Sequence, residues 1–302
     1  MRILITGATG FVGKTLIPFL YEHGYRDLCL VVRSQEKADR LFGTLKLSYV
    51  DCKSKDWTTQ IISYNPDSVI HLATLFSGKN DSEMVEKIID TNVLFTTLLL
   101  ESLSHTDCLH FINAGTFTEF LYGNERYFAN NLYSASKTAV RPIIRYYQTQ
   151  SKWNWFNIII YSSYGRKNEK KKIIDFLSEA LDSPLPVKFT GGKQVLDFVH
   201  VDDMADFFCN LLDKISDLKK SYYQFHLGTG EGHTLREVGA LLERISGKKL
   251  NAEWGGLPYR PLDTMYAVAP IARNLEILNW KSKISIENGI EIYLKDICNV
   301  KF

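Results

Sequence analysis

The sequence predicts an α/β protein built on a doubly wound parallel sheet, followed by a smaller mixed α/β lobe. Three observations carry this. Short apolar runs alternate with longer helix-patterned stretches through roughly the first 165 residues. The first run is closed by a glycine-rich turn that opens directly into a helical pattern. Beyond about residue 165 the predicted strands and helices shorten and are punctuated by Gly and Pro. The expected division is 1–165 for the first domain and 166–302 for the second lobe, with the chain crossing back to the first.

The elements follow in order. RILIT (2–6) is a buried strand, and FVGKTLIPFLYEHG (11–24) has helical periodicity and stops at Gly24. LCLVV (28–32) is the next strand, followed by a short helix near EKADRLF and a weak strand around LKLSYV. SVIHLA (68–73) is a clear strand, residues 81–103 form one long helix, and CLHFIN (108–113) is a strand again. LYSASKTAVRPIIRYYQTQSK reads as helix despite Pro142, and FNIII (156–160) as strand. In the second lobe VKF, LDFVHV and YQFHLG are short strands.

With 302 residues, 45% hydrophobic and 23% charged, the chain can bury a large core. A formal net charge of +2 gives no reason to expect nucleic acid or an acidic membrane as partner. Cys29, Cys52, Cys108, Cys209 and Cys298 are scattered, with no C-x-x-C pair, so neither a metal site nor a disulfide framework is expected. No apolar stretch reaches the roughly 20 residues of a spanning helix, and no cleavable leader is visible. The expected location is the cytoplasm.

The turn after the first strand is TGATGFVGK, with Gly7, Gly10 and Gly13. Glycines there let the backbone approach a pyrophosphate, and the helix that follows presents its N–H groups and positive dipole end to it. The strand–turn–helix context is what such a site requires, so the first domain is expected to bind a dinucleotide.

TGATGFVG at 6–13, HLA at 71–73, Asn92 within DTNV, YSASK at 133–137, VHVDDMA at 199–205 and HLGTGEGHTLREV at 226–238 occur in that order. Together they resemble the extended short-chain dehydrogenase/reductase family (the NAD-dependent epimerase/dehydratase type), which acts on nucleotide sugars through a Rossmann domain. FINAGTF, FTGGKQVLDFVHVDD and YRPLDTMYAV resemble the 4-keto reductases of that family, such as the CDP-abequose and CDP-paratose synthases. The resemblance implies that Gly7, Thr9, Gly10, Phe11 and Val12 line the pyrophosphate and that Asp51 and Cys52 flank the adenine. Leu72, Ala73 and Asn92 are implied cofactor-side residues, Asn92 also organising the catalytic helix; an ordinary polar helix residue is the alternative. It further implies a substrate site containing Thr118, Tyr161, Ser162 and Arg260, the last on the diphosphate. Leu196 stands where relatives carry Arg, and GRKNEKKK (165–172) could supply the missing cation or simply be a solvated face. A homodimer built on the 81–103 and Tyr–Lys helices is also implied.

Two Tyr–Lys pairs have the four-residue spacing, Tyr49/Lys53 and Tyr133/Lys137. The first follows the third strand, at the adenine end of a doubly wound sheet. The second lies on the helix after the fifth strand, across the switch point from the glycine turn, and is the expected catalytic pair. A phenol ionises near pH 10; an ammonium one helical turn away and an oxidised nicotinamide favour the phenolate, so Tyr133 can exchange a proton with a carbonyl or hydroxyl oxygen. By resemblance, Lys137 also bonds the nicotinamide ribose. Thr116 is the expected third hydroxyl, with Thr118 as fallback, because Asn113, Ala114 and Gly115 replace the family's serines; a plain turn cap is the alternative.

Phe117 follows Thr116 where a dehydratase needs an acid, and the nearest acid is Glu119. The second strand ends in Val32, Arg33 and Ser34 instead of the carboxylate that holds the ribose of NAD, which suits the 2′-phosphate of NADP. The expected activity is NADPH-dependent reduction of a 4-keto-6-deoxy sugar linked to a nucleotide diphosphate, CDP or dTDP favoured. The alternatives are an NAD-dependent nucleotide-sugar 4-epimerase and a non-catalytic NADP(H)-binding regulator.

Overall fold

The computed structural model describes residues 1–77, 81–121, 126–166 and 170–298. The first part of the chain forms β1 (Ile3–Thr6), α1 (Phe11–Glu22), β2 (Leu28–Val32), α2 (Gln35–Phe42), β3 (Ser48–Asp51), α3 (Trp57–Tyr64) and β4 (Ser68–His71). Next come α4 (Ser82–Ile89), α5 (Phe95–Ser104), β5 (His110–Thr116), α6 (Leu132–Thr149) and β6 (Asn154–Ile160). Shorter elements follow: β7 (Ser162–Tyr164), α7 (Ile173–Glu179), β8 (Val187–Phe189), β9 (Val195–Leu196), β10 (Phe198–His200), α8 (Val201–Lys214) and β11 (Tyr222–Leu227). The chain continues through β12 (His233–Thr234), α9 (Leu235–Ser246), β13 (Ala252–Trp254), β14 (Tyr266–Ala267), α10 (Ala272–Leu278) and α11 (Ile286–Cys298).

A seven-stranded sheet has the order β11-β6-β5-β4-β1-β2-β3. β1 runs parallel to both β2 and β4, β2 to β3, and β4 to β5. The order reverses between β1 and β4, so the crevice of this doubly wound α/β sheet opens at their C-terminal ends. Every residue of β1, β2, β4 and β5 is buried. A parallel sheet covered on both faces has no solvent side, which is why these strands read as unbroken apolar runs rather than alternations.

Three elements differ from expectation. The sequence gives little sign of α3: WTTQIISY has few strong helix formers, and its buried residues are Trp57 and Ile61, one turn apart, with Tyr64 packed against the same core. The long helix expected at 81–103 is α4 and α5 joined by a π-helical turn, Asp90–Leu94. The extra residue of that turn keeps the exposed apolar residues Val85, Ile89, Leu94 and Leu98 at successive spacings of four, five and four. YQFHLG, grouped by sequence with the second lobe, is β11 at the edge of the main sheet; strand pairing, not chain position, decides its place.

Two compact units emerge. One comprises Met1–Phe120, Tyr127–Ile159 and Ala205–Phe225; the other comprises Leu121–Arg126, Ile160–Met204 and His226–Phe302. The core of the first gathers Leu4, Val31, Val69, Leu99, Phe111, Ile144 and Trp153. That of the second gathers Tyr164, Leu177, Phe198, Val238, Leu242 and Ile290. Within the second unit the buried Asp197 accepts from the backbone N–H groups of Thr229, Gly230 and Ala269, tying the strand ends together.

Candidate active site

The glycine turn lies between β1 and α1, at the sheet's switch point. Gly7 has φ +72°, and a Cβ there would stand 2.6 Å from the backbone N of Ala73. Only glycine lets the β1 end pass this close to the segment after β4. A Cβ on Gly13 would meet the Ala8 carbonyl oxygen at 2.3 Å, so that glycine brings α1 down onto the turn. Gly10 donates to the Gly7 carbonyl at 2.9 Å and is the N-cap of α1. Thr9 and Gly10 thus precede a first helical turn containing Phe11 and Val12, whose amides have no intrahelical acceptors. This cradle, which a Cβ would fill, fits a dinucleotide pyrophosphate. Leu72 and Ala73 form its other wall: Leu72 donates to the Thr6 carbonyl at 3.2 Å and Ala73 to Thr6 Oγ1 at 3.1 Å.

Tyr133 and Lys137 lie one turn apart on α6. The Tyr133 phenol hydrogen-bonds Thr116 at the end of β5 and Thr74 after β4. Thr116 has two roles: it touches the phenol and it caps the turn Phe117–Glu119. Its hydroxyl lies 3.0 Å from that of Thr118, which also accepts from Ser134 Oγ at 2.7 Å. Thr118 therefore sits behind Thr116 as a support. Asn92, in the π-helical turn, is 2% exposed and uses its whole amide. It accepts from Leu75 N at 2.7 Å and Thr74 Oγ1 at 3.1 Å, and donates to Leu75 O at 3.1 Å and Ser136 Oγ at 2.9 Å. It ties the segment that holds Thr74 to the helix that holds Tyr133.

Burial dominates the electrostatics of the site without its cofactor. Burial pushes the Tyr133 phenol up, the Glu119 carboxylate adds to this, and the bonds from Thr116 and Thr74 offset only part. The protein's own groups therefore keep Tyr133 protonated. Burial also pulls Lys137 down to about 8, against Glu119, which raises it. His71, wholly buried beside Lys137 and bonded to Thr6 and Thr96, is pulled down to about 3 and is neutral.

Residues 3–226 match the family model described as the NAD dependent epimerase/dehydratase family. The chain belongs to this family. It is 29% identical to the CDP-abequose synthase of Yersinia pseudotuberculosis over 289 residues, covering 94% of this chain and 96% of that one. It is 27% identical to UDP-glucose 4-epimerase 2 of Arabidopsis thaliana, covering 98% and 94%. Among solved structures, the UDP-glucose 4-epimerase of Thermotoga maritima with UDP-glucose has a TM-score of 0.84 at 21% identity, covering 99% of each chain. The UDP-glucuronic acid 4-epimerase of Bacillus cereus with UDP-glucuronic acid and NAD has a TM-score of 0.85 at 19% identity.

In this epimerase/dehydratase-family chain the β2 end carries no carboxylate. Arg33 is exposed, and Ser34 caps α2 by accepting from Lys37 N at 3.2 Å. Glu36 lies in the first turn of α2, 3.8 Å from Arg40. Val32 pairs with Asp51 across β2 and β3, and Cys52 donates to the Val32 carbonyl at 3.0 Å. Burial and Asp51 push the Cys52 thiol up while Arg33 pulls it down, so Arg33 and Cys52 share this corner. Tyr49 lies on β3 with its phenol bonded to Asp39 of α2, and Lys53 sits beyond the strand end. That pair shares no helical face.

In the second unit Tyr161 is buried, its phenol 3.2 Å from His226 Nδ1, and Ser162 donates its N–H to the Asp197 carbonyl at 2.9 Å. Arg260 is exposed in a turn closed by its N–H on Asp263 at 2.9 Å. Leu196 packs against the unit's apolar core. Residues 167–169 of the run GRKNEKKK lie outside the described residues. Arg166 pairs with Asp202 at 3.2 Å and Lys171 with Glu179 at 2.7 Å. Burial pulls the Lys172 amine down to about 7, and it donates to the Ser163 carbonyl at 3.0 Å. These contacts favour a structural role for the run.

Sequence reasoning passed over Thr74, Phe76, Ser136 and Arg141. Phe76, half exposed, packs edge-on against Tyr133 with ring centroids 5.2 Å apart. Arg141 could have been found: with Tyr133 and Lys137 it continues a spacing of four along one helical face.

Proposed function

We propose that this chain is an NADPH-dependent reductase of a nucleotide-linked 4-keto-6-deoxy sugar, CDP- or dTDP-linked. The observation that carries the reading is the Thr116–Tyr133–Lys137 constellation across the switch point from the glycine cradle. The nicotinamide, when bound, supplies the hydride. Thr116 orients the carbonyl oxygen, and Tyr133, which its surroundings keep protonated, gives that oxygen a proton. Lys137 holds a positive charge one turn away on the same helical face. Tyr161, Ser162 and Arg260 would hold the nucleotide sugar, the Arg260 fork suiting phosphate oxygens.

Glu119 supports reduction over dehydration. It is fully buried and bonded to Arg141 at 2.7 Å, so it offers no acid for moving protons at C5 and C6. Arg33 and Ser34 support NADP over NAD. The likeness to CDP-abequose synthase supports the sugar class. The exposed stripe Val85, Ile89, Leu94 and Leu98, from 36% to 51% exposed, supports a homodimer.

The test incubates the enzyme with NADPH and a panel of CDP-, dTDP-, GDP- and UDP-4-keto-6-deoxy sugars and follows absorbance at about 340 nm. Stoichiometric NADPH consumption with one member is the expected result. The likeness to UDP-glucose 4-epimerase carries a second reading, an NAD-dependent epimerase. Interconversion of a UDP-hexose pair without net NADPH consumption would establish it. Cofactor binding with turnover of no sugar would indicate the regulator.

A further inference from the structure

Glu119 has no solvent exposure and Arg141 has 6%, yet the two form an ion pair at 2.7 Å. A buried carboxylate persists only where partners replace its lost hydration. Each oxygen of Glu119 has them. Oε1 accepts from Thr116 N at 2.9 Å. Oε2 accepts from Arg141 Nε at 2.7 Å and from Thr138 Oγ1 at 3.2 Å. Two of these three partners are, or directly adjoin, residues assigned to the reaction: Thr116 itself, and Thr138 next to Lys137.

Arg141 is anchored in turn. Its Nη1 donates to Gln224 Oε1 at 3.3 Å. With the Asn157 amide turned so that its oxygen faces the guanidinium, both Nη atoms donate to it, at 2.9 and 3.1 Å. Asn157 and Gln224 lie on β6 and β11, so the pair is held by the sheet rather than by its own helix alone. The strand above makes room for it. A Cβ on Gly115 would lie 3.0 Å from Glu119 Oε1 and 3.3 Å from Arg141 Nη2. Glycine at 115 is thus coupled to this carboxylate: a side chain there would press on the pair.

We propose that Glu119 is a positioning residue, whose Arg141-anchored carboxylate holds the Thr116 backbone in the turn that aims its hydroxyl at Tyr133 and supplies the anion facing the Tyr133–Lys137 pair. This rests on the assignment of Thr116, Tyr133 and Lys137 to the reaction. Among the described residues, the charged groups acting on Lys137 are Glu119 on the turn after β5 and Arg141 on its own helix; Tyr133 lies one helical turn away, and His71 on β4, beside Lys137, is neutral above about pH 3. Glu119 raises Lys137 and Arg141 lowers it. Removing the carboxylate therefore moves Lys137 toward acid, and the Tyr133 phenol in the same direction.

Lysine-labelled protein is titrated by NMR, with the Lys137 signal identified by its loss in Lys137→Arg. In Glu119→Gln, which keeps an acceptor for Thr116 N–H, the Lys137 midpoint falls below about 8 by about one unit. The alkaline limb of kcat moves the same way. An unmoved Lys137 midpoint overturns the proposal, and this measurement needs no substrate. A shifted midpoint in an enzyme that turns over no sugar in the panel faults the function, not the role of Glu119. If Glu119→Gln does not fold, two double variants free of an unpaired buried charge decide. Glu119→Gln/Arg141→Met keeps the Thr116 acceptor; Glu119→Leu/Arg141→Met removes it. The second is expected to lose at least about tenfold more kcat than the first, with matched melting temperatures. Equal kcat in the two doubles overturns the positioning role.

Discussion

Arg33 decides cofactor preference in this reading, and its surroundings set the size of the effect. The β2–β3 register brings Val32 opposite Asp51, and Arg33 and Cys52 into one corner beside the capping Ser34. The nearest acid on the following helix, Glu36, lies 3.8 Å from Arg40. A charge-assisted hydrogen bond is worth about 1.5–3 kcal/mol. Arg33 is exposed and solvent-screened, so the lower end applies. Arg33→Ala should therefore weaken NADPH about tenfold. In Arg33→Asp a carboxylate also faces the phosphate, adding about 1 kcal/mol per unit charge at 4 Å in water against a phosphate charge of about −1.5 to −2. That is roughly another tenfold, for a total near 100-fold. NADH affinity should hold or improve. The assay is a fluorescence titration of both cofactors against wild type and the two variants, with no sugar present. A wild type that binds NADH more tightly than NADPH would refute the reasoning and shift weight to the epimerase. So would an Arg33→Asp protein of unchanged preference.

Tyr133→Phe should cut turnover by about 10²–10⁴-fold with NADPH binding retained, while Tyr49→Phe, whose phenol bonds Asp39, should be nearly silent; steady-state kinetics on both variants decide. Lys137 is held at about 8, below its ordinary 10.5. The unfolded chain thus binds more protons than the folded one between about pH 8 and 10.5, and stability rises with pH across that window. Lys137→Met should therefore be inactive yet more stable at pH 7, by on the order of 1–3 kcal/mol, with the gain fading above pH 10; a melting temperature equal to wild type at pH 7 would contradict this. Arg260→Ala should weaken the nucleoside diphosphate product and leave NADPH affinity unchanged; equal loss of both in calorimetry would point to misfolding.

The sequence by itself determined the strand–helix alternation and the glycine turn at Gly7, Gly10 and Gly13. Each depends on near neighbours: a run of apolar residues, a strand–turn–helix context. The spacing of four allowed two Tyr–Lys pairs, and the fold separates them, placing Tyr133 and Lys137 on one face of α6 and Tyr49 on a strand. The Thr-x-x-Glu spacing of Thr116 and Glu119 was also there to be read as a capping box. Other features depend on residues far apart in the chain, and only the tertiary structure decided them. Asn92 acquires its role because Leu75 and Ser136, 17 and 44 residues away, converge on one amide. Glu119 is anchored by Arg141, 22 residues on, and Arg141 by Gln224, a further 83 away. The rise of the Tyr133 phenol has the same origin, because burial and the Glu119 carboxylate exist only once the chain is packed.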